Sequence, residues 1–398
     1  MRSKKILFWV VLVLGGAALA SAVPLLSYLD GLHHVETVVS TVPDANGDMS
    51  PRGVAIVFKS SGVLVRNNVL VSNFCNSEGL PGTGTTIVQV WPNGVRTLFA
   101  KLDPADYDIT PQRIGLTGAL AVLSNGWVIV GSLPTLDGTA ATATDGDIFI
   151  LNSYGKVVKI LNGDMIHGPW GATVLDGGNH ASLFITNVLE GTVAASPNIV
   201  NNGTVVRIDL TTPQDTGDNA PTEESRTIIG SGFPQRTDPT ALVIGPTGLA
   251  VSLLRLGVSA EQFPFPAGVS LYVSNTLMDE IRVIEKADTR QLTAGTGNAA
   301  FRSGSLNQPL GLVMTPFFSL LATNGGDGRI VEFSILADKQ VGSFTLNENG
   351  AGTLFDLDVP FGGPRVVPVP GIQAGASLSF SRQVYFVDDG KNSLQILK

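Results

Sequence analysis

The chain has 398 residues, of which 15% are charged, with 46 Gly, 23 Pro and a formal net charge of −8. So few charges and so many turn formers exclude helical bundles and coiled coils, and they fit many short strands separated by Gly, Asn and Pro turns. An acidic chain without a basic run offers no surface for a phosphate backbone, so no nucleic-acid partner is expected.

At the N-terminus Arg2, Lys4 and Lys5 precede the apolar run Ile6–Ala20, which closes on the small residues Ala20, Ser21 and Ala22. A charged start, an apolar middle and a small-residue end make a secretory signal. The run is about 15 residues, short of the roughly 20 that a membrane span needs. The expected division is a signal peptide over residues 1–22, cleaved after Ala22, and a single domain over 23–398. An uncleaved anchor is the alternative. The expected address is periplasmic or extracellular, with no membrane span after cleavage. Cys75 is the only cysteine, which excludes an internal disulfide and any multi-thiolate metal site.

Beyond an isolated strand at Val35–Thr41, one β-rich phrase returns, each time ending in a small residue and then Asn, Ser or Asp. Its six copies are Val69–Asn73, Val128–Ser132, Leu183–Asn187, Leu271–Asn275, Leu320–Asn324 and Val384–Asp389. Each is too short for a helix and rich in β-branched or aromatic residues. An apolar strand led by Pro or Gly precedes several of them: Pro51–Val57, Pro169–Val174, Pro239–Ile244 and Pro309–Met314. An alternating strand follows, as in Thr86–Trp91, Thr204–Leu210 and Glu280–Ile284, and often a more polar fourth, as in Val95–Phe99.

Four strands joined by turns make one propeller blade, and a lone blade leaves both faces open until others stack on it. The fold expected is therefore all-β, a six-bladed β-propeller over 23–398. Val35–Thr41 is expected to complete the last blade, which has only Ser393–Leu397 after its final copy. The polar stretch Thr211–Ser225 is expected to be an exposed loop. Phe361–Gly375, rich in Gly and Pro, blurs the first strand of the last blade.

The strand starts of Pro-x-Gly type, with Leu271–Asn275 and Glu280–Ile284, or Val384–Asp389 and Ser393–Ile396, resemble NHL repeats. Most copies carry Asn where that family usually has Asp. The resemblance implies a six-bladed propeller and a precedent for an exported binding or scaffolding module, whose partner would be a protein, peptide, glycan or small molecule. Six-bladed lactonases of similar architecture imply the alternative, a metal-assisted lactonase- or lyase-type enzyme with Ca²⁺ at the channel mouth. No cofactor is required by the first reading.

Antiparallel pairing puts the phrase ends and the Pro/Gly leads on one face of the disc. Asn73, Ser132, Asn187, Asn275, Asn324 and Asp389 are thus expected to ring one mouth of the channel, joined by His167, Trp170, Arg236 and Asp238 as ligand-binding candidates. Each also has a plainer role open to it: Asn and Asp bracing their own turns, Trp170 packing between blades, and Arg236 pairing with Asp238. His33, His34, His167 and His180 form no zinc-ligand pattern, and no metalloprotease, phosphate-loop or nucleophile-elbow motif is present.

Overall fold

The computed structural model describes residues 27–109, 113–214, 217, 219–252, 268–302, 304–360 and 382–398. Strand β1 (Val35–Ser40) comes first. Next, β2 (Met49–Ile56), β3 (Val69–Cys75), β4 (Thr86–Val90) and β5 (Arg96–Lys101) form an antiparallel sheet in chain order. The order repeats in β6 (Leu116–Val122), β7 (Val128–Ser132), β8 (Ile148–Leu151) and β9 (Val157–Leu161). It repeats again in β10 (Pro169–Asp176), β11 (His180–Asn187), β12 (Val200–Thr211) and β13 (Thr222–Asp238), and β13 turns back into the short β14 (Leu242–Ile244). A parallel bridge between Gly171 and Gly118 joins these last two groups into one nine-stranded sheet.

Two further four-stranded sheets follow: β15 (Pro246–Ser252), β16 (Ser270–Asn275), β17 (Glu280–Ile284) and β18 (Asn298–Arg302), then β19 (Pro309–Met314), β20 (Ser319–Asn324), β21 (Arg329–Ser334) and β22 (Lys339–Thr345). The last comprises β23 (Leu354–Asp358), β24 (Val384–Asp388) and β25 (Ser393–Leu397), with β1 paired antiparallel to β25 from Val35↔Leu397 to Ser40↔Ser393. The architecture is an all-β propeller. Its inner strands lie side by side in the order β2, β6, β10, β15, β19, β23, and β23 lies against β2.

A glycine two residues into most inner strands explains this close approach. A Cβ on Gly118 would stand 3.1 Å from the Trp170 carbonyl, and one on Gly311 would stand 2.7 Å from that of Phe355. Gly171 and Gly248 press on Thr247 and Leu310 in the same way. In three of the sheets the hydroxyl residue before the repeat Asn bridges to the neighbouring inner strand. The Ser72 hydroxyl accepts from Gly53 N–H at 3.1 Å and donates to the Thr117 carbonyl of the neighbouring inner strand at 2.7 Å. Thr186 does so between Gly171 and Thr247, and Thr323 between Gly311 and Phe355.

The last sheet breaks both rules. Val387 stands in the hydroxyl position and Asp356 in the glycine position. Asp356 supplies the missing link itself: its Oδ2 accepts from Val54 N–H at 3.0 Å, and Asp358 Oδ2 accepts from Ile56 N–H at 2.9 Å.

Two expectations need correction. Pro239–Ile244 is not an inner strand. Its Leu242–Ile244 pairs back onto β13 as a hairpin, and Pro246–Ser252 occupies the inner position. The reason lies in residue three: Ala241 carries the Cβ that Gly248 lacks, and at Gly248 a Cβ would stand 2.1 Å from the Leu310 carbonyl of the next strand. The polar stretch Thr211–Ser225 is not all loop either, because Thr222–Ser225 begins β13 and pairs with β12. Phe361–Gly375 lies outside the described residues, and the first strand of the last sheet is Leu354–Asp358.

Candidate functional site

The residue between the Pro or Leu lead and the glycine turns toward the central channel. Around the inner strands this layer reads Arg52, Thr117, Trp170, Thr247, Leu310 and Phe355. The next layer is glycine except for Asp356. Arg52 and Asp356 are thus the only ionisable side chains in two successive layers of an otherwise small or apolar wall. Both border a cavity of about 40 Å³, together with Phe74, Trp170, Leu310 and Phe355. That is room for a few waters or one small molecule.

Arg52 is 3% exposed. Its guanidinium lies on the Phe355 ring at 3.3 Å from the centroid, with Phe74 at 5.2 Å, an arrangement that satisfies its face. Its edge is another matter. Nη1 is 3.3 Å from Asp389 Oδ2, an ion-pair distance, yet Nε and Nη1 are buried without a hydrogen-bond partner. Burial pulls the Arg52 guanidinium below its ordinary value, opposed by the carboxylates of Asp389 and Asp238. Asp356 shifts the other way. Burial pushes its carboxyl up to about 8, against the Val54 and Leu357 N–H groups that favour the charged form.

The β13–β14 hairpin crosses this mouth. Asp238 at its tip lies close enough to act on Arg52, and the methyl of Thr240 approaches Gly352, on the loop before β23. Leu242 takes a φ of 70°, a left-handed conformation that a leucine adopts only where its surroundings hold it. The hairpin braces itself. Arg236 Nη2 pairs with Asp238 Oδ2 at 3.2 Å, while Asp238 Oδ1 accepts from the Thr240 and Ala241 N–H groups at 2.9 and 3.0 Å.

Of the sequence-predicted ring, Asn73, Asn187, Asn275 and Asn324 stand opposite the Pro leads of their inner strands. Asn73, Ser132, Asn187, Asn275 and Asn324 are all buried and bonded next to the strands that carry them. Asn187 donates to the Met165 carbonyl at 2.9 Å and to Thr204 Oγ1 at 3.0 Å, and its Oδ1 accepts from His167 N–H at 3.0 Å. Asn73 donates to the Thr41 carbonyl and Thr86 Oγ1, Asn275 to Glu280 Oε1, and Asn324 to the Ser305 carbonyl. Ser132 Oγ accepts from Gly115 N–H. These side chains brace turns and do not border the cavity.

In the last sheet the position aligned with those asparagines is Asp388, opposite Leu354, and Asp389 follows it in the turn. His167 sits at the rim, its Nδ1 3.1 Å from Asp145 Oδ1. Trp170 does line the cavity, edge-on to Phe74 with ring centroids 6.3 Å apart. Among the described residues no group of three or more His, Cys, Asp or Glu side chains gathers as a metal ion requires. Asn73, Asn275 and Asn324 bond through Nδ2, and their Oδ1 atoms are buried without a hydrogen-bond partner.

Arg52 and Asp356 were missed by the sequence reading. The signal was present in the Pro-x-Gly lead itself: x faces the channel, and a charge at x or in place of the glycine marks the site.

No family model matches this chain, and no curated protein matches it. Solved structures do. A gluconolactonase from Xanthomonas campestris is 13% identical, with 92% of this chain and 93% of that one covered and a TM-score of 0.48. Regucalcin, a calcium-binding protein from Agrobacterium tumefaciens, is 12% identical, with coverages of 90% and 92% and a TM-score of 0.48. Virginiamycin B lyase from Staphylococcus aureus is 11% identical, with coverages of 92% and 99% and a TM-score of 0.46.

Proposed function

We propose that this chain is an exported six-bladed β-propeller, similar to NHL-repeat proteins, that binds a small ligand in the mouth of its central channel. The blade count rests on the six inner strands lying in sequence around the axis, with β23 returning to β2. On this reading the nine-stranded sheet is two blades joined by the Gly118–Gly171 bridge, and β1 completes the last blade as its outer strand. Export rests on the signal at residues 1–22, and among the described residues no helix is long and apolar enough to cross a membrane.

The observation that carries the binding reading is the channel-mouth cavity. Its walls come from separate sheets and are small or apolar apart from two ionisable groups, and Ala241–Ile244 of the β13–β14 hairpin pack in one apolar cluster with Trp170, Leu310 and Phe355. Concave apolar sites with a few placed polar groups are where small ligands bind. The test is a small-molecule panel read by Trp emission, with Trp170→Phe as control. Ligands should change the emission of the wild type and lose most of that change in the variant. A panel that changes neither protein, or both equally, removes the channel as the site. Mass analysis of exported protein checks the address: a chain beginning at Val23 is expected, and one retaining residues 1–22 refutes cleavage.

A further inference from the structure

We propose that the channel-mouth cavity is a carboxylate site, with the edge of the Arg52 guanidinium as its anchor. This deepens the small-ligand reading and rests on it.

A buried arginine normally spends its N–H groups on acceptors, because leaving them unpaired away from water is costly. Arg52 Nε and Nη1 have no such partner. The faces of the guanidinium are occupied by Phe355 and Phe74, which fixes the plane of the group, while Nε and Nη1 lie buried without an acceptor beside the cavity that Arg52 lines. A planar guanidinium edge matches a carboxylate better than any other small acceptor group. Asp389 is near but does not fill that role, since the Nη1 contact at 3.3 Å carries no aligned hydrogen bond.

The rest of the cavity selects the body of the ligand. Trp170, Leu310 and Phe355 present apolar surface, and about 40 Å³ admits only a short chain. An acid of two to a few carbons is the class that fits. Asp356, the other ionisable group in the wall, has its carboxyl raised to about 8 by desolvation, which lessens its repulsion of an anion well below that pH.

The pairing of charges sets a further expectation. Arg52 faces Asp389 and Arg236 pairs with Asp238, so each cation at the mouth already has a carboxylate beside it. Binding is therefore driven by short-range hydrogen bonds, and salt should weaken it little.

The experiment uses the purified mature chain, titrated with sodium acetate and propionate against sodium chloride, and with acetamide and propionamide as neutral counterparts. Thermal melting and Trp170 emission are the readouts. The carboxylates should raise the melting temperature and change emission, with the amides at least about tenfold weaker. Asp389→Asn removes the carboxylate that shares Arg52 and should tighten acetate and propionate binding. Arg52→Lys keeps the charge, loses the planar edge and should weaken them at least about tenfold. Amides that bind as well as the acids, or Asp389→Asn that leaves acid binding unchanged or weaker, would overturn the assignment. If uncharged compounds change Trp170 emission while carboxylates are silent, the carboxylate class fails and the small-ligand reading stands. Silence from every compound, in wild type and in Asp389→Asn, takes both down.

Discussion

The backbone N–H of Tyr28 donates to Oε1 of Glu332 at 2.6 Å, across 304 residues of sequence. The same carboxylate accepts from Leu29 N–H at 3.1 Å, from the Ser27 hydroxyl and, at 2.5 Å, from the Ser319 hydroxyl. Glu332 lies on β21 and is fully buried. One side chain thus fixes the chain's entry into the fold, just after the proposed cleavage point, and seats Tyr28 and Leu29 in the core beside Val359 and Phe386.

Removing that carboxylate takes the acceptor from Tyr28 N–H and the Ser27 hydroxyl, and leaves Leu29 N–H only Ser27 Oγ and the Ser319 hydroxyl only Thr315 Oγ1. Glu332→Ala should cost about 3 kcal/mol or more of stability in urea unfolding, and Glu332→Gln, which keeps one acceptor oxygen, should cost less. Loss of protection at the Tyr28 and Leu29 amides in hydrogen exchange should accompany it. A variant as stable as the parent would mean that the entry segment is not held there.

The hydroxyl bridges between sheets give a second expectation. Thr186→Val keeps the shape and deletes the oxygen, so Gly171 N–H and the Thr247 carbonyl lose their shared partner. The expected loss is about 1–3 kcal/mol. Thr323→Val should behave alike at Gly311 and Phe355. The two sites do not share a partner, so their effects should add. Equal stability of the valine variants would show that water replaces the bridge.

The asparagine phrase predicts a response to metal. Asn187 spends both amide atoms on Met165, His167 and Thr204 and has no oxygen left for an ion, and among the described residues no cluster of three or more His, Cys, Asp or Glu is present, so neither EDTA nor added calcium should move the melting temperature. Asn187→Ala should lower it in both conditions by a similar amount, consistent with about 1–3 kcal/mol for lost buried bonds. A calcium-dependent rise that Asn187→Ala or Asn324→Ala abolishes would restore the ion-bearing enzyme as the better reading.

How far these features were readable depends on what each residue answers to. The strands were legible because Val69–Asn73 or Leu320–Asn324 carry their β-branched and apolar residues in runs too short for anything else. The repeat Asn was visible as a pattern, yet two different jobs, lining a mouth or bracing a turn, require the same residue type at a strand end. Only the partners of Asn187 distinguish them. The inner strand at Pro246 was passed over for Pro239 because Thr-Ala-Leu-Val-Ile reads as a strand, and a hairpin packed on the mouth is equally apolar. Arg52 was hidden for a related reason. A single arginine in a strand reads as a solvent-facing charge unless its place in the Pro-x-Gly lead is weighed, and Phe355, which closes on it, comes from a distant sheet.

Asp356 supplies the pH-dependent prediction. Its folded value of about 8 lies far above the ordinary 3.8, because burial penalises the charged form more than the Val54 and Leu357 N–H groups reward it. Between about pH 4 and pH 8 the folded state therefore holds a proton that the unfolded chain has released. Under proton linkage the unfolding free energy falls with rising pH in that window and levels off above it. This contribution is fully present below the unfolded value and is lost as pH climbs through the folded one, on the order of 5 kcal/mol in all. Asp356→Asn mimics the neutral acid, since an amide oxygen can still accept from Val54 N–H. The variant should match the parent near pH 4 and become the more stable protein as pH approaches 8. The difference between the two urea-unfolding profiles isolates this residue from every other titrating group. Parallel profiles across the window would mean that Asp356 is charged in the folded state, and the channel wall would then carry a fixed negative charge beside Arg52.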